Sequence, residues 1–77
     1  MTEDEFFRCV LDMAEAARHE DSSAWMQARC RTRSADDSAY LSSMLLGLLV
    51  ENEAVRRGEH PADAWHRLRT EGIDSFG

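Results

Sequence analysis

The residues able to do chemistry in this chain are few. There are three histidines, His19, His60 and His66, two cysteines, Cys9 and Cys30, and nine cations, all of them arginine. A histidine offers a proton donor or acceptor near neutral pH, or a metal ligand. A cysteine offers a nucleophile when a base, a cation or a helix N-terminus favours its thiolate. Cys9 stands between Phe6, Phe7 and Val10, Leu11 and reads as a small hydrophobe. Cys30 lies among Arg29, Arg31 and Arg33, which makes it the more reactive candidate. The two match no metal-binding or redox spacing. Nowhere do a nucleophile, a base and an oxyanion donor fall at workable spacing. The expectation is a protein that is not an enzyme and has no catalytic residue, cofactor or metal.

Two short segments resemble known sites. Asp63-x-x-His66 is similar to the carboxylate-x-x-His pairs of di-iron helical bundles, which place two ligands on one helix face. Such a site needs further inward carboxylates, whereas Glu15, Glu51 and Glu53 read as surface groups; a small metal-binding helical protein stays as a further alternative function. His60 reads as a helix-start residue and His66 as a solvated neighbour of Trp65. Gly72-Ile73-Asp74-Ser75-Phe76 resembles the Gly-x-Asp-Ser-Leu motif of acyl carrier proteins, whose serine carries phosphopantetheine. Small size, acidity and four helices are also similar. The resemblance covers five residues, and the long acidic helix that follows the serine in carriers has no counterpart here. The expected reading is a C-terminal tail with Asp74 and Ser75 in a turn.

Arg29, Arg31 and Arg33 form the candidate anion contact, and the alternative function they suggest is a DNA-binding regulator. A helix-turn-helix would make the third helix the recognition helix. Its first residues would then be Asp36, Asp37 and Ser38, and two carboxylates there repel a DNA backbone. With fifteen acids against nine arginines, a net charge of −6 and a pI near 4.9, general attraction to nucleic acid is not expected.

The elements that position these residues read as helices throughout. No stretch alternates apolar and polar residues long enough for a strand. Thr2 with Glu5 forms a capping box, opening a helix that fades near Arg18-His19. Its expected apolar face is Phe6, Phe7, Val10, Leu11, Met13, Ala14 and Ala17. A short second helix begins at Ser22 or Ser23, with Trp25 and Ala28 on one face and Met26 and Cys30 on a neighbouring one. The third runs from about Asp37 to Arg57, capped by Asp36, Asp37 or Ser38 and stopped by Gly58. The fourth starts around His60, with Pro61 at its first position and Gly72 at its end. Ile73 is then expected to make the apolar contact of a Schellman motif, with Phe76 folding back onto the bundle. Acids gather at the helix starts and arginines at the ends, as the helix dipole favours. That accounts for most of the charge without a binding site.

Tyr40 to Val55 is the one strongly apolar stretch. Placed on a wheel at about 100° per residue, Leu41, Met44, Leu45, Leu48, Leu49, Asn52 and Val55 fall on one side. Leu46 and Val50 fall nearly opposite its middle. Burying a Leu or Val gains roughly 1.5–3 kcal/mol, so both sides need cover. Either the chain's other helices supply it or a second copy does. Asn52 near the middle of the apolar face reads first as a partly exposed residue beyond the last core layer; the alternative is a contact that fixes register across a two-fold axis, as polar residues do in coiled coils. Gly47 is suited to close packing, since glycine costs a helix about 1 kcal/mol.

A chain of 77 residues has room for a single helical domain with a short tail at 73–77, and a core that small is marginal by itself. The acidic N-terminus lacks the basic start of a signal peptide, and the apolar run is too short to span a membrane. The expected protein is therefore an all-α bundle of about four helices with a central helix near 37–57, cytoplasmic, with reduced thiols and no membrane association. Its expected role is protein–protein interaction, as a homodimer or docked on another protein. The candidate interface is Leu41, Met44, Leu45, Leu46, Leu48, Leu49, Val50, Asn52 and Val55.

Overall fold

The computed structural model describes residues 2–32 and 34–73. Over them the chain is all-α: α1 (Glu3–Arg18), α2 (Ser22–Cys30), α3 (Ala35–Arg56) and α4 (Pro61–Glu71). Two compact units divide the chain, Met1–Met44 and Leu45–Gly77, with the division falling inside α3. Among the described residues no helix is long and apolar enough to cross a membrane.

In the first unit, α1 packs on α2. Thr2 caps α1 by accepting the Glu5 N–H on Oγ1 at 3.1 Å. At the other end the Glu20 N–H reaches Ala17 O and the Asp21 N–H reaches Ala16 O at 2.9 Å, the paired bonds of a Schellman motif. The left-handed position of that motif is held by Glu20, at φ 57°, where glycine is the usual occupant. Asp21 then caps α2, its Oδ1 accepting from the Ala24 N–H at 3.0 Å. The buried residues are Cys9, Val10, Met13 and Ala16 of α1, Ala28 of α2 and Ser38 of α3. This corrects the expected face of α1, because Phe7, Leu11, Ala14 and Ala17 are exposed. The inward stripe is rotated toward Cys9 and Ala16, whose small side chains let the short α2 approach. The start of α3 also differs from expectation. Ser34 makes the capping contact, its Oγ accepting from the Asp37 N–H at 3.3 Å, which leaves Asp36 and Asp37 as first-turn acids.

In the second unit, the end of α3 and α4 share a small core of Val50, Ala54 and Ala64, with Trp65 and Leu68 packed against it. The turn between them follows from its residues. Gly58 takes φ 77°, the Gly58 N–H bonds Val55 O, and the Glu59 N–H bonds Ala54 O at 2.8 Å, a second Schellman closure. His60 caps α4 as expected, its Nδ1 accepting from the Ala62 N–H at 3.1 Å, and Pro61 follows at the first helical position. Gly72 ends α4 at φ 84°, its N–H bonded to Leu68 O. The Schellman contact expected of Ile73 is not made, since Ile73 is 88% exposed. The expectations for Asp74, Ser75 and Phe76 fall outside the described residues.

Candidate interaction surface

The geometry of α3 in the second unit decides which of its apolar residues are covered. Val50 and Ala54 face α4, and Gly47 lies beside the same partner. A methyl group built on Gly47 would sit 3.7 Å from Trp65 Cζ2, an ordinary contact. The Trp65 indole lies along this side and donates its Nε1–H to Glu51 Oε2 at 2.9 Å. Arg69 stacks over the indole at 5.9 Å. Below it, Arg67 holds Glu59 at 3.2 Å and Glu71 at 3.7 Å. The hydrogen bond to Glu59 raises the Arg67 guanidinium above its ordinary pKa, so it stays cationic. α4 returns along the α3 side that carries the small residues Gly47 and Ala54, where the Trp65 indole lies close to the helix.

Val50 is consequently 9% exposed. Of the two covers left open for Val50, the chain's own α4 supplies it. Its expected companion Leu46 is only partly covered, at 47% exposed. The residues on the other side of the wheel remain open: Leu48 is 55%, Leu49 68% and Val55 66% exposed, and Asn52 is exposed with them. Leu45 is half-buried. In the first unit, Leu41 is half-buried while Met44 and Tyr40 are exposed. Leu45, Leu48, Asn52 and Val55 follow one another at alternating steps of three and four residues. That is the spacing of coiled-coil core positions, with Asn52 in the place where a single asparagine sets register. The sequence contained this spacing, but the width of the apolar face concealed it. Only the covering of Val50 and Ala54 shows which stripe is left.

An apolar groove of about 340 Å³ lies on the same unit, walled by Leu46, Leu49 and Leu68 with Glu53, Arg57 and Arg67 on its rim. It extends the open surface toward α4.

The other expected sites do not come together. Arg31 is held by Asp12 at 2.9 Å in an exposed ion pair, Arg29 is half-buried, and Arg33 lies outside the described residues. Cys9 is buried and Cys30 exposed, both as free thiols. His66 and Asp63 are exposed, and His19 caps the end of α1. Among the described residues no three His, Cys, Asp or Glu side chains are grouped so as to hold a metal ion. Comparison of the chain with protein-family models, curated proteins and solved structures gives no match.

Proposed function

We propose that this protein is a non-enzymatic helical interaction module that pairs with a second copy of itself through α3. The observation that supports this reading is the stripe Leu45, Leu48, Asn52 and Val55, exposed except at the half-buried Leu45 and flanked by the exposed Leu49. Exposed leucine and valine at coiled-coil spacing are costly in a monomer, and a second α3 laid against the stripe removes that cost. The pairing is two-fold, with Asn52 meeting Asn52 across the axis. An unmatched buried amide costs about 1–3 kcal/mol, so the pair of asparagines excludes registers that separate them.

The expected affinity is modest. Covering a half-exposed leucine or valine gains about 1 kcal/mol per side chain on the scale for full burial. With four such residues on each copy, the gain is of the same order as the ~4–15 kcal/mol cost of association. The net is at best about −4 kcal/mol, which corresponds to a dissociation constant near millimolar. Sedimentation velocity over a concentration series tests this: the weight-average sedimentation coefficient rises with concentration in the wild type and stays flat in Leu48→Glu. A wild type that remains monomeric at millimolar concentration overturns the reading.

A further inference from the structure

We propose that the two α3 helices of the pair run parallel and in register, and that Glu51 of one copy meets Arg56 of the other along each edge of the seam. This rests on the pairing through α3 and adds its orientation and its charged contacts.

The order of the steps along α3 carries the first argument. Leu45 to Leu48 is three residues, Leu48 to Asn52 is four, and Asn52 to Val55 is three. In a heptad lettered a to g, that order puts Leu45 and Asn52 at a and Leu48 and Val55 at d. A parallel pair in register stacks each residue on its own copy. Asn52 then meets Asn52, and Leu45, Leu48 and Val55 each form an apolar layer. No antiparallel pair does both. Centred on Asn52, it sets Leu48 opposite Arg56 and Leu45 opposite Glu59, past the end of α3. Shifted so that Leu45 meets Val55, it sets Asn52 against Leu48 and leaves both amides unmatched.

The flanking charges give an independent argument. Glu51 precedes an a position and Arg56 follows a d position, so they stand at g and e. In a parallel pair, a g residue faces the e residue five positions further along the partner, and Glu51 and Arg56 are five apart. The two-fold axis makes the contact twice. In either antiparallel arrangement the two Glu51 carboxylates share one edge and repel. Both groups are available. Arg56 is exposed and holds only Glu53, three residues away, at 3.6 Å. Glu51 is exposed and accepts the Trp65 indole N–H on Oε2, and a carboxylate has two oxygens to accept on. The core shared with α4, Val50 and Ala54, is on the other side of α3, so α4 does not block the seam.

The test is disulfide trapping at millimolar protein in a glutathione redox buffer. The background is Cys30→Ser, since Cys9 is buried. Val55→Cys is mixed with equal amounts of Leu49→Cys, and separately of Leu45→Cys, and mass spectrometry counts the products. The parallel pair predicts an excess of the Val55→Cys homodisulfide over its statistical share in both mixtures. An excess of the mixed disulfide in either one overturns the parallel orientation and leaves the pairing standing. Statistical proportions in both overturn the pairing itself. Arg56→Glu, added to Val55→Cys, is expected to lower the yield of homodisulfide at equilibrium about fivefold, as two weak surface ion pairs become two repulsions. Glu51→Arg added to that variant is expected to restore it. An unchanged yield with Arg56→Glu overturns the edge contact. If circular dichroism shows the Glu51→Arg variant unfolded, a graded loss from Arg56→Gln to Arg56→Glu decides in its place.

Discussion

Glu20 carries the clearest local cost in the chain. A non-glycine residue at φ 57° brings its Cβ close to the following carbonyl, at roughly 1–2 kcal/mol. Glu20→Gly removes that clash but adds freedom to the unfolded chain, so a net stabilisation of about 0.5–1 kcal/mol is expected. Urea denaturation monitored by circular dichroism measures it. Gly47 offers the converse case. Its position is helical, and a methyl there would only touch Trp65 Cζ2 at 3.7 Å. Gly47→Ala should therefore stabilise by about 0.5–1 kcal/mol in the same assay, from helix propensity alone. The single-residue signals in the sequence were readable where chemistry leaves one option: Thr2, Gly58, His60 and Pro61 all stand at the helix ends they predict. They were unreadable where a residue does another's work. Glu20 takes a glycine's position, and Ser34 caps α3 although Asp36, Asp37 and Ser38 look better suited.

At the scale of the element, the two sides of α3 predict opposite behaviour. Val50 is in the core with Ala54 and Ala64, so Val50→Ala leaves a cavity and should cost about 1–3 kcal/mol. Leu49 is 68% exposed, so Leu49→Ala should change the stability of the isolated chain by less than about 0.5 kcal/mol. Thermal or urea unfolding of both variants at low protein concentration separates the two. The sequence pattern named the apolar residues of α3 but left open which stripe the chain covers itself. Periodicity counts apolar side chains and is blind to size. α4 chose the side with Gly47 and Ala54, where its indole fits, and left the leucine-rich side open. The same effect rotated the buried stripe of α1 toward Cys9 and Ala16. In both helices, small residues mark where a neighbour can come close, and large ones do not by themselves mark the interior.

The protein is acidic and helical, and its second unit leaves an apolar stripe largely exposed. The asparagine in that stripe makes a specific forecast. Asn52→Leu should strengthen self-association about tenfold, because a buried polar residue at a coiled-coil core position costs stability, and should also permit assemblies larger than a dimer. Sedimentation equilibrium reports both. Charge, helix class and the apolar stretch were all legible before the structure. The stripe proposed for pairing was not, because the apolar face of α3 is wider than the part that α4 covers.

The most direct test of the central claim is sedimentation velocity of the wild type and of Leu48→Glu from micromolar to millimolar concentration, with circular dichroism confirming that both are folded. A monomer–dimer transition is expected for the wild type within that range, and a monomer throughout for Leu48→Glu. A folded wild type that sediments as a monomer at millimolar concentration, or a Leu48→Glu variant that dimerises as well as the wild type, would contradict it.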